Sequence, residues 1–142
     1  MTTIFADHKS GVMVCDSKCS SDGSWYPVTK VFRVRDELIG IAGSLKEGRA
    51  WLKWYSSGKR GVRPKLESFA ALSLRQDGLY ELCSDGLELL VERGFLGVGS
   101  GGSCATAAFM AGADPFKAVQ IACQIDVGSG GHVISHSLKG NA

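Results

Sequence analysis

The segment Leu38-Ile-Gly-Ile-Ala-Gly43 constrains the fold most. It is short, apolar and small throughout, and it follows the polar turn Arg35-Asp-Glu37. Such a run reads as a β-strand buried on both faces, so its sheet lies between other layers. The hydrophobic period then changes. Ser44-x-x-Glu47 is a capping-box pattern. In the stretch after it, Leu45, Trp51, Leu52 and Tyr55 share one face at helical spacing. Ser56-Ser-Gly58 ends that helix.

The flanking segments extend the pattern. Thr2 to Asp7 and Val12 to Cys15 are β-rich runs around the turn His8-Lys-Ser-Gly11. Ser17 to Gly23 is small and polar and reads as a loop. Val28 to Val34 alternates as a strand, with Lys30 inside it. Gly58 to Pro64 is a basic surface loop. Phe69 to Leu74, the turn Asp77-Gly78 and Leu79 to Cys83 form a hairpin. Leu89 to Val91 and Phe95 to Val98 are short strands. Ser100 to Ala111 is a small-residue helix. Asp114-Pro115 caps a second helix running to about Asp126. His132 to Leu138 alternates as a last strand. Strands, helix, strands, two helices and strand, in that order, predict a single α+β layered sandwich over residues 1–142.

Composition narrows the function. Sixteen Lys and Arg face fourteen Asp and Glu, a net charge of +2. That is too little for a nucleic-acid or membrane footprint. No apolar run approaches the ~18 residues of a membrane span. The 19 glycines carry no Gly-X-Y period, so they mark tight turns and close backbone approaches. The five cysteines are odd in number and no secretory pattern precedes them, which predicts free thiols in a reducing, cytoplasmic setting. His132 and His136, four apart on a strand, would stand ~13 Å from each other, too far to share a metal.

Five separated features form one constellation. Thr2 follows Met1, so removal of Met1 would give Thr2 a free α-amine beside its own hydroxyl, a known route to an activated nucleophile. Lys30 in an apolar strand needs a partner, and Asp16 is a suitable one. The pair is either an ordinary ion pair or a device that tunes the amine. Ala42-Gly43-Ser44 at a strand-to-helix junction is either a tight turn or an oxyanion site. Gly97-Val-Gly-Ser-Gly-Gly102 lacks the Lys-Ser/Thr ending of a phosphate loop. Asp126-x-x-Ser129-Gly-Gly131 offers a carboxylate and a hydroxyl, and Ser100 offers a second hydroxyl.

Taken in order, these pieces resemble the proteasome β-subunit and HslV-like family of N-terminal-nucleophile (Ntn) hydrolases. The matching residues are Thr2-Thr-Ile, Cys15-Asp-Ser-Lys18, Thr29-Lys-Val31, Ile41-Ala-Gly43, Gly99-Ser-Gly-Gly102 and Asp126-x-x-Ser129-Gly-Gly131. The resemblance spans nearly the whole chain. It implies a four-layer αββα sandwich, Thr2 as nucleophile and proton acceptor, and Asp16 and Lys30 as its tuning pair. It also implies an oxyanion contact from Gly43 N–H, with Ser100, Asp126 and Ser129 positioning the amine. Ser20 would bind the extended peptide through its backbone. Val28, Ile41 and Leu45 would surround an apolar residue before the cut. The implied activity is threonine-type cleavage of peptides or unfolded proteins inside a homo-oligomeric ring, without metal or organic cofactor. A docking ATP-dependent unfoldase is the further partner the family suggests. The stretch from Gly43 to Gly99 is shorter than the family's, which implies a trimmed helix layer and favours a single ring over stacked rings. Two other classes remain open: a silent ring-forming scaffold that keeps Met1, and an Ntn amidase for a small amide. Trp51 and Trp54 on one helix suggest buried contact, with a second protomer as one candidate.

Overall fold

A computed structural model describes residues 1–140. Strands β1 (Ile4–Asp7), β2 (Val12–Cys15), β3 (Lys18–Ser21), β4 (Ser24–Pro27), β5 (Val31–Val34) and β6 (Glu37–Gly43) come first. Helix α1 (Leu45–Ser56) follows, then β7 (Phe69–Arg75), β8 (Gly78–Leu82), β9 (Glu88–Leu90) and β10 (Phe95–Val98). Helices α2 (Gly102–Met110) and α3 (Pro115–Ile125) precede β11 (Ile134–Ser137). One sheet has the order β10-β1-β2-β11, another β5-β6-β7-β8-β9, and β3-β4 is a separate hairpin. All pairings are antiparallel.

Alternation along each strand sorts side chains between layers. In β1 and β2, Ile4, Ala6, Met13 and Cys15 point inward and meet Leu38, Ala42, Leu72 and Leu74 of the second sheet. Phe5 and Val14 point outward onto Ala105, Ala118, Val119 and Ala122 of α2 and α3. The alanines let the two helices lie close to the sheet and to each other. On the far side, Ile39 and Ala71 receive Trp51 and Tyr55 of α1, whose rings stack at 4.5 Å. The result is four layers, helices–sheet–sheet–helix, with a single helix in the outer layer. Beyond α1 a polar cluster closes the sheet. Glu37 accepts from Tyr55 Oη at 2.8 Å and Ser73 Oγ at 2.6 Å, and Arg75 donates to Glu88 at 2.7 Å.

The structure corrects several local expectations. The Ser17–Gly23 loop is instead the first part of the β3–β4 hairpin. Ser21 pairs with Ser24, and Asp22 (φ 46°) and Gly23 (φ 80°) form the two-residue turn between them. Both have positive φ, the requirement of an Asp-Gly type I′ turn. The hairpin has no apolar alternation because β4 is exposed along its length. Lys30 precedes β5 rather than lying within it. The capping box is half formed: Ser44 Oγ accepts from Glu47 N at 3.3 Å, but Glu47 turns away to accept from Glu67 N at 2.6 Å. Leu45 is exposed, while Trp51 packs into the core of its own chain. His132 lies ahead of β11.

Candidate active site

The site is built where the two sheets end together, around the peptide between Met1 and Thr2. β1 is an inner strand, held by β2 on one side and β10 on the other, so the residues ahead of Ile4 are fixed from both sides. Thr2 N–H donates to Ser100 Oγ at 3.1 Å. Ser100 Oγ–H donates to Asp126 Oδ2 at 2.6 Å, and Ser129 Oγ–H donates to the same oxygen at 2.5 Å. With the Ser129 proton so committed, the 2.7 Å contact between Thr3 Oγ1 and Ser129 Oγ is donated by Thr3. Burial alone would raise the Asp126 pKa. The hydrogen bonds from Ser100, Ser129 and Gly128 N–H outweigh it and hold the carboxyl below its ordinary value.

Glycine puts these groups in contact. Gly99 has φ +88°, and a Cβ there would run into the Thr2 carbonyl. A side chain at Gly101 would collide with Thr3 Oγ1. The Gly-rich turn before α2 is therefore a close-packing device against the start of the chain, not a phosphate cradle.

On the other side of Thr2, Lys30 is 6% exposed and Asp16 is fully buried. Lys30 Nζ donates to Asp16 Oδ1 at 2.9 Å and to Lys18 O at 2.8 Å, and lies 3.5 Å from Met1 O. Asp16 also accepts from Thr3 N at 3.0 Å and Gly130 N at 3.0 Å. The pair thus ties β1, β2, the segment before β5 and the loop after α3 into one unit. A buried charge is tolerable only with such a full set of partners.

Thr2 is 5% exposed and lines a cleft of about 990 Å³. Among the described residues no buried side-chain N or O lacks a hydrogen-bond partner, and Thr2 Oγ1 makes none, so its hydroxyl opens to the cleft. Gly43 also lines the cleft, with φ +105°, and a Cβ would overlap the Ser68 carbonyl. Ile41 N donates to Lys30 O at 3.0 Å, while Ser44 N donates the opposite way, to Ser68 O, at 2.7 Å. Alternation then directs Gly43 N–H to the side of Ile41 N, past the point where the β5 ladder ends. That N–H faces the cleft.

Ser20, Val28, Ile41 and Leu45 line the same cleft. Asp16, Ser100, Asp126 and Ser129 stand behind Thr2 rather than on the cleft wall. Sequence reasoning missed Thr3, whose amide and hydroxyl join Asp16 to Ser129, although it adjoins Thr2. It also missed Tyr26 and Pro27 on the hairpin wall and Arg49 and Lys53 on α1. Cys15 is no competing nucleophile: burial, reinforced by the Asp16 carboxylate, pushes its thiol up to about 12.

No family model matches the sequence, and no curated protein does. Solved structures do match. Eukaryotic HslV from Trypanosoma brucei superposes with a TM-score of 0.74 at 24% identity, covering 94% of this chain and 97% of that one. The chain has the HslV fold. Thiobacillus denitrificans BPH in complex with epoxomicin superposes at 0.70, with 19% identity and 94% and 96% coverage. A further structure of Thiobacillus denitrificans BPH superposes at 0.68 with 19% identity and 94% and 95% coverage. The superposition on HslV extends over nearly the whole of both chains.

Proposed function

We propose that this chain is a threonine-type peptidase of the proteasome β-subunit and HslV-like family, with Thr2 as its nucleophile once Met1 is removed. One observation carries the proposal. The Met1–Thr2 peptide is gripped from both ends, its nitrogen by Ser100 at 3.1 Å and its carbonyl by Lys30 at 3.5 Å. Loss of Met1 leaves an amine on the Ser100–Asp126 relay and frees one Lys30 contact toward the cleft.

Each remaining step then has a group in place. Thr2 Oγ attacks the substrate carbonyl and its proton passes to the amine. The oxyanion rests on Gly43 N–H. The Lys30 cation, 2.9 Å from Asp16, favours the neutral amine and the developing negative charge. The amine next protonates the leaving nitrogen, and water hydrolyses the ester by the same relay. The peptide lies extended between Ser20 on β3 and the β6–α1 junction, with one side chain against Val28, Ile41 and Leu45. Assembly into a homo-oligomeric ring and a cytoplasmic setting belong to the same proposal. Among the described residues no helix is long and apolar enough to cross a membrane.

The test is intact mass followed by labelling with a peptide epoxyketone such as epoxomicin, the molecule in the BPH complex. We expect a chain lacking Met1 that gains one inhibitor per protomer, and no gain in Thr2→Ala. Met1 present on all of the soluble protein, without labelling, would favour the silent scaffold. Hydrolysis of small amides without peptide cleavage would favour the amidase.

A further inference from the structure

The cleft carries charge of one sign. Lys18, Lys30, Arg49 and Lys53 line it, four of the chain's 16 Lys and Arg, whereas none of its 14 Asp and Glu does. Two of the four are already engaged. Asp16 neutralises Lys30 from behind at 2.9 Å, and Lys18 Nζ donates to Val127 O at 3.0 Å. Arg49 and Lys53 are different: among the described residues neither side chain makes an ion pair or a hydrogen bond. They stand four residues apart on α1, so both cations share the face that lines the cleft. Like charges at this spacing repel. Glu47, the only acid on α1, is committed to Glu67 N and Ser68 N. A cleft walled by low-dielectric protein concentrates such a one-signed field.

We infer that the cleft selects peptides that carry a carboxylate side chain, held by Arg49 and Lys53. That the ligand is a peptide rests on the function proposed above; the charge preference does not. The geometry also places the acid. Arg49 and Lys53 lie four and eight residues beyond Leu45, ~6 and ~12 Å along the helix axis. An extended peptide advances ~3.3 Å per residue. For a peptide laid along α1, the carboxylate sits about two to four positions from the side chain packed on Val28 and Ile41.

The test is calorimetric binding of two acetylated peptide amides to the full chain, identical except for Glu or Gln three positions from a Leu. The Glu peptide should bind about tenfold tighter, the preference shrinking at high salt. Arg49→Ala with Lys53→Ala should abolish the preference, and Arg49→Glu with Lys53→Glu should invert it. Both positions are exposed, so these variants should keep the parental Tm, which is checked alongside. Equal binding of the two peptides, or binding of neither, overturns the inference. Tighter Glu binding with no cleavage by Met1-free protein keeps the inference and removes the peptidase function. Equal cleavage of both peptides does the reverse.

Discussion

Replacing Lys30 with methionine keeps the aliphatic stem and removes the only side-chain cation bonded to Asp16. Asp16 is fully buried and keeps three backbone donors: Thr3 N at 3.0 Å, Gly130 N at 3.0 Å and Lys18 N at 3.3 Å. Those bonds stabilise the carboxylate but do not neutralise it. Stranding one member of a buried pair costs about 3–5 kcal/mol, and the surviving donors place Lys30→Met at the lower end. At ~2.1 cal/mol/K of unfolding entropy per residue, a 142-residue chain loses about 3 °C of Tm per kcal/mol. Lys30→Met should therefore melt about 10 °C below the parent. Asp16→Asn should be at least as harmful. Either orientation of the new amide points its N–H₂ at existing donors, Thr3 N with Lys30 Nζ or Gly130 N with Lys18 N. The double variant should lose less than the sum by at least ~1 kcal/mol. Lys59→Met is the control, since the Lys59–Glu88 pair is 3.6 Å apart with Lys59 half exposed. It should shift Tm by no more than about 2 °C. Circular dichroism melts and urea titrations at neutral pH read all four. A Lys30→Met loss below about 3 °C, or strict additivity, would show that the pair does not hold the site together.

Gly43→Ala should lower stability by at least ~2 kcal/mol, because φ +105° and the Ser68 carbonyl both oppose a Cβ. Urea midpoints measure this, and on the function proposed above peptide turnover should fall with it. Burial, aided by the nearby Arg33 cation, holds the His136 imidazole below its ordinary value. Its contribution is thus complete above the unfolded value of ~6.5 and is lost as pH falls through the folded one. Tm should drop between pH 7 and 5, and His136→Gln should flatten that slope. Ser129→Ala removes the bridge between Thr3 and Asp126 and should cost about 1–3 kcal/mol by leaving the Thr3 hydroxyl unpaired. An unchanged denaturation midpoint would contradict that account.

Long apolar patterns were readable in advance because they report packing directly. The run Leu38–Gly43 announced a strand covered on both faces, and Asp114-Pro115 announced the start of α3. The β3–β4 hairpin went unread because neither face packs on the core, although Asp22-Gly23 carried its turn signal. The polar cluster of Glu37, Tyr55, Ser73, Arg75 and Glu88 was invisible for another reason. Its members are spread over four elements, and no local pattern marks a partner 36 residues away. The same holds for Arg49 and Lys53, which look like an ordinary solvated helix face until the hairpin wall stands opposite.

The inner position of β1 sets a clock on biosynthesis. Its second edge is covered by Phe95–Val98, and Thr2 N meets a hydroxyl 98 residues downstream. At ~5–20 residues per second, about 5–20 s pass before the ribosome delivers that edge. Throughout that window the peptide bond ahead of Thr2 lacks the Ser100 contact that holds its nitrogen in the folded chain. For the function proposed above, removal of Met1 is therefore least hindered before that late edge arrives.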